Sequence, residues 1–187
     1  MPSLEQVIAP VLPESLRKFM REHCRIPADA FYPLAPAAVP EPEQRLLVHS
    51  QDMTSTLASF HESPLRVEIL QCQREGELYL REVFLRTVPG ESVVEYGVIA
   101  IALEQFAAPQ QEAIEAGQIP LGGLLHRFKI AFESAPIGFF SAPSAALAGT
   151  PLHPPGGALC FGRFNRLSKP SGEPLAWILE ILPPTGR

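Results

Sequence analysis

The sequence holds few of the residues on which covalent and metal-based architectures depend. Among its 187 residues there are only three cysteines, three methionines and one tryptophan. Cys24, Cys72 and Cys160 are odd in number and far apart, so they predict reduced thiols rather than a disulfide framework. No pair of them has the spacing of metal ligands. We therefore expect a protein that uses neither a metal nor another cofactor.

Charge is also scarce, and its balance is acidic. Charged residues make up 19% of the chain, and the net charge is -5. An acidic chain does not favour general binding to nucleic acid or to an anionic membrane. No stretch reaches the ~20 apolar residues that span a bilayer, and residues 1–5 do not resemble a signal peptide. We expect a cytoplasmic protein with no nucleic-acid partner and no membrane insertion.

Strand-forming segments separated by short turns are what the chain does have. Strands are predicted over 65–72, 78–86, 93–103, 128–132, 158–167 and 175–182. Short links between strands predict antiparallel neighbours, because a parallel pair needs a longer crossover. Because 46% of the residues are hydrophobic, residues 1–187 can form one domain with a sizeable core. The fold class expected is α+β.

Helical and irregular segments fill the remainder. Helices are expected over 14–25, from Met53 after an Asp52 cap, and over 109–116. The segments read as irregular are a proline-rich connector at 33–42, a turn at 120–125 and a long loop at 134–157. A loop of that length in a compact domain often covers a functional site.

An arginine inside a predicted strand is the most informative feature of the sequence. Side chains alternate between the two faces of a strand, so Arg81 shares a face with Val83 and Leu85, and Glu82 points the other way. A buried charge is costly without a partner, which here is either a protein carboxylate or an anionic ligand. Glu180 lies in an equally apolar strand and is a candidate ion-pair partner.

Two further arginines, Arg163 and Arg166, precede the last strand. They are read either as a solvated strand face or as extra positive charge near a site.

Four short motifs occur at compatible positions along the chain. They are Asp52-Met53-Thr54, Tyr79 to Val83 around Arg81, Pro120-Leu121-Gly122, and Gly162-Arg163 followed by Gly172 to Leu175 and Glu180. Their order and rough spacing resemble the chorismate pyruvate-lyase family over roughly residues 45–184. Residues 1–44 would then form an N-terminal helix and a proline-rich lead-in.

The resemblance implies a fold, a reaction and a set of site residues. The family has an antiparallel sheet with helical flaps over an internal ligand pocket. Its members convert chorismate to 4-hydroxybenzoate and pyruvate without a cofactor, for ubiquinone or phenolic biosynthesis, and the fold can work as a monomer. By position, Arg81 and Glu180 would be catalytic: Arg81 would bind the ring carboxylate, and Glu180 would meet the hydroxyl end.

The remaining contacts carried over concern substrate binding. The backbone amide of Leu121 would also face the ring carboxylate, and Gly122 would allow close approach of the backbone. Met53 would line the cavity. Arg163 or Arg166 would contact the carboxylate of the leaving enolpyruvyl group.

One departure from the family pattern leaves alternatives open. The best-known branch has an arginine in the strand where Gly97 to Ile101 stand here, and segments like Glu95-Tyr96-Gly97 are typical of a divergent cyanobacterial and actinobacterial branch. The alternatives are a non-catalytic sensor of small aromatic acids with the same fold, or a lyase acting on a relative of chorismate. A related fold forms the effector-binding part of some transcription regulators.

Overall fold

A single seven-stranded antiparallel sheet forms the frame of the computed structural model, which describes residues 10–27 and 29–184. The strands are β1 (Tyr32–Leu34), β2 (Leu65–Glu75), β3 (Leu78–Thr87), β4 (Val93–Ala102), β5 (Glu133–Pro143), β6 (Leu159–Ser168) and β7 (Pro174–Leu182). Their order across the sheet is β1-β5-β6-β7-β4-β3-β2. The antiparallel sheet and the α+β class are as expected.

Within the described residues, five α-helices pack against this sheet. They are α1 (Glu14–Glu22), α2 (Glu43–Leu47), α3 (Met53–Phe60), α4 (Ala108–Ala116) and α5 (Leu121–Arg127). Helix α3 begins where the sequence predicts, because the Asp52 side chain accepts a hydrogen bond of 2.8 Å from the backbone N–H of Ser55. Helix α1 ends at Glu22, three residues before the predicted end.

The two faces of the sheet bury separate cores. On one face, Leu16 and Phe19 of α1 pack with Leu80 and Phe84 of β3. On the other face, α4 and α5 form one cluster around Tyr79, Ile99 and Ile114. Helices α2 and α3 form a second cluster there, around Met53, Val83 and Leu182. The side chains of Arg81 and Glu180 lie on this second face.

Two segments differ from the sequence-based expectation around the flap helices. Residues 121–127 form α5 rather than a turn, and 128–132 do not form a strand. Two adjacent glycines weigh against a helix in isolation. Here the helix forms because Leu121, Leu124 and Leu125 share one face and are all buried.

The predicted long loop at 134–157 was also wrong in its first part. Residues 133–143 form β5, although the strand contains Pro136 and Pro143. Proline lacks a backbone N–H and is tolerated at sheet edges and bulges. The pairing of β5 with β6 shifts register between Pro136 and Gly138, and β1 pairs with β5 only over 139–141. Both prolines therefore avoid a continuous ladder.

Candidate ligand-binding site

A small cavity lies between the second face of the sheet and the helices α3 and α5. The volume of the cavity is about 50 Å³, counted as the space that the centres of water molecules can occupy. One water molecule needs roughly 10–15 Å³ on that measure. Its lining includes Met53, Arg81, Leu121, Gly122 and Glu180. Residues from four separate motifs of the sequence therefore meet at one cavity, although the roles assigned to them stay predictions.

The floor of the cavity is set by the register of three neighbouring strands. Arg81 of β3 lies opposite Ile99 of β4, and Ile99 lies opposite Ile178 of β7. Two residues further along β4, Gly97 lies opposite Glu180 on one side. Arg81 and Glu180 are therefore diagonal neighbours across β4, and both side chains face the same cavity.

Arg81 is a buried guanidinium that no carboxylate of the described residues neutralises. The residue is 2% exposed. Its Nη1 donates to the carbonyl oxygen of Ile114 at 3.3 Å, and its Nε has no partner among the described residues. None of the ion pairs found in residues 10–27 and 29–184 involves it. Loss of hydration lowers the pKa of Arg81 to about 10, so the group stays charged at neutral pH.

Glu180 has a different ion-pair partner from the one considered at first. Its carboxylate accepts a hydrogen bond from Nε of Arg163, which lies directly opposite it on β6. Arg163 also donates from Nη1 to the backbone oxygens of Leu47 and His49, at 2.8 and 3.0 Å. Arg163 is completely buried. A solvated strand face is therefore wrong for this arginine, which ties the segment before α3 to the sheet.

Arg166 and Glu82 both point away from the cavity. Arg166 is exposed and follows Asn165, a cavity residue, so the alternation of β6 places its side chain on the opposite face. This placement does not fit the predicted contact with a leaving carboxylate. Glu82 accepts hydrogen bonds from the Tyr96 hydroxyl at 2.5 Å and from the Gln71 amide at 2.6 Å. Its partners are structural.

Glu95 is a cavity residue to which the sequence analysis assigned no role. It is 4% exposed, and its Oε2 is buried without a hydrogen-bond partner in the described part of the chain. Burial, followed by the nearby charge of Glu180, raises the pKa of Glu95 well above its ordinary value of 4.5. The signal was present, because Glu95 is a charged residue in an apolar strand, as Arg81 is.

Asn165 was missed as well. It is fully buried in the cavity wall, and its amide nitrogen donates to the Ser134 hydroxyl at 3.0 Å. Its position two residues after Arg163 on β6 gives it the same face as that arginine. That alternation was the only sequence signal for it.

The roof of the cavity is held by contacts between α3 and α5. Nε2 of His126 lies 3.0 Å from Oδ2 of Asp52, the residue that caps α3. A Cβ on Gly122 would lie 2.6 Å from Oδ1 of Asp52, so only glycine allows this approach. Burial alone would raise the pKa of Asp52, but hydrogen bonds from His126 and from the Ser55 N–H lower it. Asp52 is thus an ionised roof residue.

Two further observations bear on the class of site. In the described ranges, His, Cys, Asp and Glu side chains form no group of three or more suited to holding a metal ion. Of the helices described, none combines the length and the apolar character needed to cross a bilayer.

No family model and no curated protein matches this sequence. Several solved structures are similar to the chain. PhnF from Mycobacterium smegmatis has a TM-score of 0.54 at 13% identity, with 98% of this chain and 86% of that chain covered. The gene product SA0254 from Staphylococcus aureus has a TM-score of 0.50 at 11% identity, with 74% and 92% covered. A possible transcriptional regulator, YydK from Bacillus subtilis, has a TM-score of 0.48 at 9% identity, with 97% and 84% covered.

Identities this low are informative about the fold alone. The α+β architecture with a seven-stranded antiparallel sheet matches the chorismate lyase-like fold of PhnF. The fold expected from the sequence is thereby confirmed. It hosts more than one kind of function, so the activity has to be argued from the cavity itself.

Proposed function

We propose that this domain binds a small organic acid in the cavity between the sheet and helices α3 and α5, with the ligand carboxylate on Arg81. The observation that carries the proposal is a buried guanidinium that lines a cavity and has no carboxylate partner in the described part of the chain. Leaving such a charge unpaired is expensive, so an anion that enters the cavity relieves that cost.

The chemistry of arginine points to a carboxylate in particular. The guanidinium is planar and offers parallel N–H donors that match the two oxygens of a carboxylate. Arg81 has an unused Nε donor, while its Nη1 is oriented by Ile114. The first turn of α5 adds backbone N–H groups at Leu121 and Gly122, because the first amides of a helix have no acceptor within it.

The rest of the lining favours a small, largely apolar ligand body. Val67, Val83, Ile99 and Ile178 contribute aliphatic side chains to the cavity wall. Apolar walls with a few placed polar groups are typical of small-molecule sites. A monocarboxylate with one ring fits this description, and binding without catalysis, as in a sensor of small aromatic acids, is the function that the cavity supports best.

Titration of the purified protein with benzoate at neutral pH tests this proposal. An Arg81→Met variant removes the charge and keeps a side chain of similar length, and Arg166→Met removes an exposed arginine on the other face as the matched control. We expect Arg81→Met to weaken benzoate binding roughly 100-fold, since hydrogen bonds to charged groups contribute about 1.5–3 kcal/mol each. Arg166→Met should bind as the wild type does. Equal affinity in wild type and Arg81→Met would contradict the proposal.

A chorismate pyruvate-lyase is the second candidate, and one observation favours it. The residues named by the family resemblance come from four parts of the chain, and five of them line one cavity, namely Met53, Arg81, Leu121, Gly122 and Glu180. The proposed reaction needs only a substrate held in a reactive geometry and one assisted proton movement. Arg81 would hold the ring carboxylate, and Glu180 would lie at the hydroxyl end.

The two candidates differ in what happens to chorismate. Incubation of the protein with chorismate, followed for pyruvate and for 4-hydroxybenzoate, should give both products if the lyase assignment is correct. Glu180→Gln should then lose turnover at a temperature where it is folded, and its melting temperature should fall because the variant breaks the buried ion pair with Arg163. Ligand-induced stabilisation by a ring acid without pyruvate release would favour the sensor, and a different aromatic product would indicate a relative of chorismate as substrate.

A further inference from the structure

The charges that line the cavity are unbalanced in a way that constrains the ligand. In the described part of the lining, Arg81 is the one base, and it occurs with three acids, Asp52, Glu95 and Glu180. Glu180 is paired with Arg163, and Asp52 contacts His126. Among the described residues, Glu95 is therefore the acid of the lining without an ion-pair partner.

The position of Glu95 lies beyond Arg81 along the strands. Leu85, four residues after Arg81 on β3, is opposite Glu95 on β4. The backbones of the two charged residues are therefore separated by roughly 13 Å along the sheet, at about 3.3 Å per residue. Between them lies Gly97, whose missing side chain leaves room for the Glu95 carboxyl. Oε1 of Glu95 is 3.2 Å from the place where a Cβ on Gly97 would sit.

The Glu95 carboxyl therefore leans back along β4 toward the Arg81 end. Its other oxygen, Oε2, is buried and has no hydrogen-bond partner in the described chain. A buried polar atom without a hydrogen-bond partner costs free energy, so a ligand that forms a hydrogen bond with this oxygen would recover that cost.

Among the cavity residues that the structure describes, no further cation is free to serve a second anionic group. Arg163 lies behind Glu180 rather than in the cavity wall, and its donors already reach the Glu180 carboxylate and the backbone oxygens of Leu47 and His49. A second ligand carboxylate at that end would lie among Glu95 and Glu180 without a countercharge.

We propose that Glu95 is the specificity-determining residue of this cavity, selecting a monocarboxylate whose far end carries a neutral hydroxyl or carbonyl group and rejecting dicarboxylates. The inference rests on the proposed function, because it assumes that Arg81 holds the ligand carboxylate. A protonated carboxyl offers one O–H donor and one acceptor, so it can pair with either group. Burial of Glu95 beside Glu180 favours this protonated form.

A series of four benzoates tests this specificity in the wild-type protein. The probes are benzoate, 4-hydroxybenzoate, benzene-1,4-dicarboxylate and 4-(aminomethyl)benzoate, each titrated calorimetrically at neutral pH. We expect 4-hydroxybenzoate to bind roughly 2- to 10-fold more tightly than benzoate, the effect of one neutral hydrogen bond. The dicarboxylate should bind roughly 100-fold more weakly than benzoate, because it buries an uncompensated charge.

Two variants then assign the preference to Glu95. Glu95→Gln keeps a donor and an acceptor in the same shape, so the preference for the hydroxyl should persist. Glu95→Leu keeps the bulk and removes both, so the preference should disappear while benzoate still binds. The Arg81→Met variant serves as the control for the carboxylate end.

Several results would overturn the inference. They are tight binding of the dicarboxylate, an unchanged hydroxyl preference in Glu95→Leu, or a preference for the aminomethyl probe, which would mean that Glu95 acts as an anion. If the benzoates bind through Arg81 and changes at Glu95 have no effect, only this inference fails. If no probe binds, or if Arg81→Met changes nothing, the proposed function fails with it.

Discussion

The protonation of Glu95 makes a quantitative prediction about stability that needs no ligand. The pKa of Glu95 is raised in the folded protein by burial and by the charge of Glu180, whereas the unfolded chain has the ordinary value near 4.5. Above that value, the folded state holds a proton that the unfolded state has released. Stability contributed by this group is therefore complete below the unfolded pKa and is lost as pH rises toward the folded pKa.

Glu95→Gln removes this titration while it keeps the shape of the side chain. The free energy of unfolding of the variant should rise relative to wild type by about 1.4 kcal/mol per pH unit, for as long as the folded wild type keeps its proton. From the ordinary value near 4.5 up to the raised pKa of Glu95 in the folded state, the difference between the two proteins should thus widen with every increase in pH. The absolute difference in unfolding free energy between the two proteins also depends on the hydrogen bonds that the glutamine forms. The change of this difference with pH is therefore the informative quantity.

Urea unfolding of both proteins at a series of pH values measures this slope. Groups that both proteins share, such as the histidines, cancel in the difference. Glu112→Gln, on an exposed position of α4, is the matched control for the loss of one carboxylate. A flat difference between wild type and Glu95→Gln would refute the reasoning, because it would mean that Glu95 is ionised in the folded state.

The other predictions concern the two buried arginines and the roof of the cavity. Arg163→Met should destabilise the fold by about 3–5 kcal/mol, because it leaves Glu180 buried and unpaired. Arg81→Met should be near neutral or stabilising in the same urea experiment. Equal losses of unfolding free energy in the two variants would contradict the assignment of Arg81 as a ligand group. Gly122→Ala should lower the melting temperature and weaken benzoate binding, since its Cβ would lie 2.6 Å from Oδ1 of Asp52. An unchanged affinity for benzoate would show that helices α3 and α5 move apart to accommodate the Cβ at little cost. Asp52→Ala should cost about 1 kcal/mol through loss of the α3 cap, whereas Asp52→Asn, which can still cap, should retain that part; similar losses in thermal unfolding would argue against the capping role.

Much of the candidate site could be predicted from the chain because strand alternation is a local rule. The side chains of a strand point to opposite faces at every second residue, so the apolar context of Arg81 and Glu180 was enough to place both on a buried face. The same rule applied to Glu95 would have identified it as well. The helix α5 and the strand β5 could not be predicted in this way, because their local sequences contain glycines or prolines and their stability comes from burial against the sheet.

The sequence by itself determined that Arg81, Glu180 and Glu95 are buried, because each lies in an apolar strand, but it did not determine the burial of Arg163. Only the tertiary structure decided which charges neutralise one another. Arg163 lies opposite Glu180 because of the register of β6 against β7, whereas strand β4 lies between Glu180 and Arg81. Strand register depends on turns, bulges and packing between distant segments. For that physical reason Glu180 is paired with Arg163, and Arg81 has no carboxylate partner among the described residues.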